Sequence, residues 1–357
     1  MLLKESPKIV KANARELSYS GRIDFTDPLA PIFIFPASSV TMIFKGSKLK
    51  ALVKNRQSNY STYIGYVLDG VEEKVILPSN KEVQKITLAE NLNSDKQHEI
   101  VFFKRQDARC EFTFYGFIVD TESKISMPRK KYRKCMEFYG ESAACGKSLE
   151  DIHCTNAVDL SNSYKYSNAW NSYAMMTARN LKAEVNIIAQ EGIALLDNTG
   201  YFNAPQSIGM ESIYDKLHFD FNTGEIVNWD FNRYIPQVVV IDIGQNDSIP
   251  ENYMKEDLDS YKSINWRNHY KEFVLNIRRR YKNAFIVLTT TIIKHDSSWD
   301  RAIGLVCEEI NDKKIVHFLY SCNGFGGDFH NSKWCAEEMS LELSLFLKGL
   351  GAEIWEK

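Results

Sequence analysis

The sequence predicts an all-β sandwich over residues 1–125, followed over residues 126–357 by a three-layer α/β domain whose parallel sheet is covered by helices on both faces. Three observations lead there. A chain of 357 residues is too long for one ordinary domain and sufficient for two, each burying its own core. Up to about residue 125 it is a succession of short alternating segments rich in Val, Ile, Tyr, Phe and Thr. Beyond that point, apolar runs of strand length alternate with segments of helical periodicity.

In chain order, the strand candidates of the first part are "SVTMIFKG" (39–46), "KLKALVK" (48–54), "STYIGYVLDGVEEKVILP" (61–78), "QKITLAE" (84–90), "HEIVFFKR" (98–105) and "CEFTFYGFIVD" (110–120). Gly, Asn, Asp and Ser separate them. Asp69-Gly70 is a hairpin signal, because both residues tolerate positive φ. The polar, basic stretch "TESKISMPRKKYRK" (121–134) reads as a linker.

In the second part, "KCMEFYG" (134–140), "EVNIIAQ" (184–190), "QVVVIDIG" (237–244), "AFIVLTTT" (284–291) and "KIVHFLY" (314–320) are candidate buried strands. Helical spacing joins Tyr173, Ala174, Thr177, Ala178 and Leu181, and again Trp266, Tyr270, Phe273, Val274 and Ile277. There is no internal repeat and no low-complexity segment.

Composition removes several function classes. A hydrophobic fraction of 44%, a charged fraction of 25% and a net charge of −2 offer no global attraction to nucleic acid or to an anionic membrane. "RRRYK" (278–282) is the solvated end of a helix, favourable beside its C-terminal dipole. No apolar run approaches the roughly 18–20 residues that span a bilayer. The seven cysteines (110, 135, 145, 154, 307, 322 and 335) form no CxxC pair and read as reduced, mostly buried thiols. With a start, "MLLKESPKIVKANARE", that does not resemble an export signal, they lead to the expectation of a cytoplasmic protein. No HExxH and no clustered Cys/His spacing points to a metal, and no cofactor is expected.

The stretch "CMEFYGESAACGKS" (135–148) leaves its strand abruptly and sets one hydroxyl, Ser142, among small residues. Either Ala143 and Ala144 pack against a neighbouring element or they clear space for a substrate. In a parallel sheet, ligands bind beyond the carboxyl ends of the strands. The first three strands end there in Gly140-Glu141-Ser142, Gln190-Glu191-Gly192 and Gly244-Gln245-Asn246-Asp247. A serine, a glycine with an unobstructed N–H and an asparagine amide are the parts of an acyl-transfer site. Asp247 is assigned mainly to holding the loop. The base would be His330, in "NGFGGDFHNSKW" (323–334), after the last strand and before a C-terminal helix. His317, within a strand pattern, reads as a core or edge residue.

These residues carry a resemblance. "YGES" is similar to the GDS block of the SGNH-hydrolase superfamily, Glu191-Gly192 to its second-block glycine, "GQND" (244–247) to its GxND block and "DFH" (328–330) to its last block, in order across about 190 residues. With a β-sandwich in front, the chain resembles carbohydrate esterase family 2 over nearly its whole length. The resemblance implies an SGNH, flavodoxin-like parallel sheet preceded by a jelly roll, and removal of acetyl groups from plant polysaccharides such as xylan. It makes Ser142 the nucleophile and His330 the general base, with an oxyanion hole built from the N–H of Ser142, the N–H of Gly192 and the side-chain amide of Asn246. Two positions depart from the superfamily pattern. Glu141 stands where the GDS aspartate would be, so the hydrogen bond orienting the turn must be remade. Gly327 occupies the usual place of the third triad member, leaving Asp328 as the candidate acid, or a backbone carbonyl in a Ser-His dyad.

The expected reaction is an acetylxylan esterase cycle through an acetyl-serine, on acetylated oligosaccharide or polysaccharide, with no nucleic-acid or membrane partner. Oligomeric state is not legible. Two other readings share these residues: a lipid or thioester hydrolase of the same fold, and a carbohydrate-binding protein without catalysis. Ala143 and Ala144 suit a small acyl group, and Trp299 in "KHDSSWD" is a candidate for stacking on a sugar ring.

Overall fold

The computed structural model describes residues 7–356 apart from 58–60, 81, 130–131, 152–163, 203, 221–224 and 326–331. The described residues form two compact units. One comprises those up to Arg129 with Tyr164 and Lys165, and the other comprises the rest from Tyr132 onward.

The first unit is an antiparallel β-sandwich. One sheet runs Ile23–Asp24, Ile32–Phe33, Phe112–Val119, Leu49–Asn55, Val83–Ala89, with Lys8–Lys11 also paired to Phe112–Val119. The other runs Lys124–Ser126, Ser39–Lys45, His98–Lys104, Thr62–Leu68, Val71–Leu77, with Ser18–Ser20 on Ser39–Lys45. Strict alternation sorts the faces: Leu49, Ala51 and Val53 are buried while Lys50, Leu52 and Lys54 are less so. Asp69 and Gly70 take φ of 53° and 87° in a two-residue turn that pairs Leu68 with Val71, the backbone hand that suits the twist of a hairpin. Part of the expected linker is instead the short edge strand Lys124–Ser126, in register with Ser126 opposite Ile43. An edge strand needs only one inward apolar residue, here Ile125 against the core, so its polar composition hid it.

Aromatic rings dominate the sandwich core. Phe102 lies 5.9, 5.8 and 5.9 Å from Phe112, Phe114 and Phe117, and Phe33 stacks on Phe112 at 4.9 Å. All five are fully buried. Phe102→Ala should therefore destabilise this unit by about 3–5 kcal/mol, read as a lowered midpoint in chemical denaturation followed by circular dichroism.

The second unit holds a parallel sheet of β1 (Lys134–Gly140), β2 (Ala183–Ala189), β3 (Val238–Asp242), β4 (Phe285–Thr289) and β5 (Ile315–His317), in spatial order β2-β1-β3-β4-β5. Helices α1 (Tyr173–Leu181) and α4 (Lys333–Gly349) pack on each other, as do α2 (Tyr261–Arg280) and α3 (Ser297–Ile310). Their apolar stripes face inward, and Ser172, Ser260, Asp296 and Ser332 cap their N-termini through side-chain oxygens. The sequence reading missed α3 and the hairpin of Lys216–Asp220 with Glu225–Asn228.

Strand order reverses between β1 and β3, so the two loops leaving their carboxyl ends diverge there and open a crevice. In-register pairing sets Gly140 opposite Asp242, and the residues that follow each strand start from the same level.

Candidate active site

Ser142 sits two residues beyond β1 in a run of tight turns. The carbonyls of Glu141, Ser142 and Ala143 accept from the N–H groups of Cys145, Lys147 and Gly146 at 3.2, 3.1 and 3.2 Å. Ser142 is half-buried, but Ala143 and Ala144 are fully buried, and a Cβ placed on Gly140 would come within 2.5 Å of that of Ala144. The two alanines therefore pack the turn against its own strand. Of the two readings the sequence left open, packing rather than cleared space is the one their burial supports.

Glu141 remakes the hydrogen bond that the missing aspartate raised. Its Oε1 accepts from the N–H of Gly244 at 2.9 Å and from the N–H of Asn246 at 3.5 Å, so one carboxyl ties the serine turn to the loop after β3. The residue is fully buried, and burial, followed by the nearby Asp242, pushes its carboxyl well above the usual range. A second link crosses to the loop after β2, where Lys147 pairs with Glu191.

Gly192 is buried at φ +74°, and an added Cβ would meet the Cβ of Tyr201 at 2.9 Å. Its carbonyl accepts from the N–H of Tyr201 and of Phe202 at 2.7 and 3.0 Å. The N–H groups of Gly192 and of Ser142 donate to no group among the described residues. Asn246 Nδ2 donates to the carbonyl of Ile193 at 2.9 Å, which fixes the amide plane and leaves its second hydrogen to donate elsewhere. Asp247 is fully buried and takes the N–H of Leu195 at 2.7 Å and of Leu196 at 3.1 Å, holding the segment beyond Gly192. Thr199 adds a third donor at 3.3 Å.

His330 and Asp328 lie outside the described residues. The segment leading toward them is anchored by polar groups: Asn323 Nδ2 donates to Thr290 Oγ1 at 3.0 Å, and the N–H of Gly324 to the carbonyl of Thr291 at 3.2 Å. Thr290 in turn donates to Asp300 at 2.5 Å, and Asp300 lies 3.1 Å from Nε2 of His295. His317 ends the edge strand β5, and burial lowers its pKa. Arg278, in the basic run, donates to the carbonyls of Tyr281, Lys282 and Ala284 and pairs with Asp312 at 2.9 Å, a helix-terminus role.

Comparison with known proteins finds carbohydrate esterases among those similar to this chain. Residues 19–128 match the profile described as carbohydrate esterase 2 N-terminal. The cellulase/esterase CelE of Acetivibrio thermocellus is 29% identical over 342 residues, covering 91% of this chain. A solved family two carbohydrate esterase from Clostridium thermocellum, in complex with cellohexaose, is 27% identical with a TM-score of 0.75, covering 94% of this chain and 98% of that one. The chain is thus similar to family 2 carbohydrate esterases over most of its length. The chain spans about 39% of the length of CelE. It also resembles an acetylxylan esterase / glucomannan deacetylase of Cellvibrio japonicus, 23% identical over 96% of this chain and 91% of that protein.

Among the described residues, the fold brings Ser142, Gly192 and Asn246 to the carboxyl edge of β1, β2 and β3. It does not bring Trp299 there as a sugar platform. Trp299 lies within α3, fully buried, with its ring 5.2 Å from that of Trp266 and its indole N–H donating to Asn252 at 2.9 Å. Its polar neighbours suggested a loop, whereas Asp296 is a helix cap. Sequence reasoning missed Asp242 and Tyr173, whose hydroxyl lies 2.7 Å from Asp242 Oδ2. An aspartate closing the apolar run "VVVID" was the available signal.

Two outcomes follow. Asp247→Asn turns one acceptor into a donor facing N–H groups and should cost about 2–4 kcal/mol, read from the thermal midpoint of this unit. Burial also pushes Asp247 up to about 6 and Asp242 up to about 7. The folded chain therefore keeps protons that the unfolded chain releases above an ordinary carboxyl pKa of roughly 4. Between about pH 4 and pH 7 stability should fall as pH rises, with a shallower slope in the Asp247→Asn variant, checked by calorimetry across that range.

Proposed function

We propose that this chain is a serine esterase that removes O-acetyl groups from xylan or xylo-oligosaccharides. The observation that carries the reading is the pair of uncommitted N–H groups on Ser142 and the buried Gly192, with the amide of Asn246 beside the same loop. Buried backbone N–H groups are almost always paired, so unspent donors at the carboxyl edge of the sheet suit an oxyanion that exists only during reaction. Carbohydrate as the alcohol partner is supported by the similarity to the esterase solved with cellohexaose and to the acetylxylan esterase / glucomannan deacetylase.

In this reading Ser142 attacks the acetyl carbonyl while His330 takes its proton, and the oxyanion meets the three donors, each typically contributing on the order of 10²–10³ in rate. The sugar oxygen leaves with the proton returned by His330. Water, deprotonated by the same imidazole, then releases acetate from the serine. Glu141 does not touch the acyl group and instead holds the turn that presents it. Either Asp328 or a backbone carbonyl orients His330.

An organophosphate should label Ser142, located by peptide mass spectrometry, and Ser142→Ala and His330→Ala should each abolish nearly all acetate release. No adduct on Ser142 would favour a carbohydrate-binding protein. Asp328→Asn should keep at least about a few per cent of kcat, against the roughly 10⁴-fold loss expected if that carboxylate completes a triad. Acetylated xylan and short p-nitrophenyl esters should be cleaved faster than long-chain esters, and a preference for long chains would support a lipid hydrolase.

A further inference from the structure

We propose that Asp242 is a positioning residue for this reaction, its carboxyl and that of Glu141 forming one hydrogen-bonded pair that shares a single proton and fixes the glutamate beneath Ser142. The proposal rests on the reading of Ser142 as the nucleophile. The topology sets the two acids together: β1 and β3 are parallel neighbours with Gly140 opposite Asp242, and Glu141 is the next residue along. A Cβ on Gly140 would lie 3.8 Å from Asp242 Oδ2, so the aspartate reaches toward the place where β1 becomes the turn.

Each acid has one oxygen committed. Glu141 Oε1 receives the N–H groups of Gly244 and Asn246, and Asp242 Oδ2 lies 2.7 Å from the hydroxyl of Tyr173. Their other oxygens, Glu141 Oε2 and Asp242 Oδ1, are buried with no hydrogen-bond partner among the described residues. Two orphaned carboxylate oxygens on neighbouring buried acids are costly unless a donor joins them. A shared proton makes one acid the donor to the other and removes one of two like charges.

The surroundings supply little other compensation. Tyr173 from α1, Tyr270 from α2 and Tyr320 beyond β5 face the pair as neutral phenols, and Asp247 adds a further acid. Among the described residues, His295, after β4, is the neighbour of Asp242 that can carry positive charge, and it is already bonded to Asp300. The acids do not form a metal-holding group among the described residues. While the proton is present, Glu141 keeps Oε1 on the two N–H groups. When it leaves, two buried like charges repel, and the turn carrying Ser142 loses its register with Asn246. Burial raises both groups, Asp242 to about 7, so that loss belongs to the neutral-to-alkaline range.

The test combines a kcat–pH profile for acetate release with infrared spectroscopy of resting protein. Wild type should show kcat falling on the alkaline side. Asp242→Asn, whose amide donates permanently to Glu141, should lack that decline. Asp242→Ala should lower kcat by about tenfold with KM changed by less than about twofold, since the fault lies in orientation rather than substrate binding. At pH 6 both Asp242→Asn and the reciprocal Glu141→Gln should lose one carboxyl's share of the wild-type protonated-carboxyl stretch, leaving only the share due to Asp247. An alkaline limb that survives in Asp242→Asn would overturn the proposal, as would variants that keep the full wild-type band, which would indicate a bridging water instead. A wild type that releases no acetate would sink the esterase reading, whereas the loss of band intensity in the two variants reports the pair independently of activity.

Discussion

One carboxyl holds the candidate site together. Ser142 and Asn246 come from segments more than one hundred residues apart in sequence, one in a run of turns and the other at the start of a single 3-10 turn, Asn246–Ser248. Glu141 Oε1, receiving two N–H groups from the loop after β3, converts them into one frame. Because the residue is fully buried, the hydrogen bonds operate without competition from water, and the bridge is correspondingly rigid.

The same burial creates the tension in the structure. Glu141, Asp242 and Asp247 are acids in the driest part of the sheet edge, and each is raised by desolvation. Asp247 is compensated by backbone donors from Leu195 and Leu196, and Asp242 by Tyr173. Stability is given up at this edge so that loops can be held by short, directional contacts. The apolar interiors of β3 and β4, buried at every position, supply what the edge lacks.

Much of this was legible in the sequence because burial imposes pattern. The five strands of the parallel sheet announced themselves as apolar runs, and the hairpin at Asp69-Gly70 by its turn chemistry. Elements without such a pattern were lost. Lys124–Ser126 needed only one apolar residue to sit at a sheet edge, and α3 begins with polar residues whose role as a cap resembles a loop. At the site, Ser142, Gly192 and Asn246 could be named because each follows a strand of the predicted sheet.

Partners were another matter. The sequence by itself determined the two-part architecture, the strands of the parallel sheet and the identity of the residues at their carboxyl ends, since these follow from hydrophobic periodicity and turn chemistry within a few residues. Only the tertiary structure decided that Ala143 and Ala144 are packing, that Trp299 belongs to the core, that Glu141 grips the loop after β3 and that Asp242 stands beside it. Those facts depend on which strands become neighbours and in what register, and hydrogen bonds across such a long separation leave no local trace in the chain.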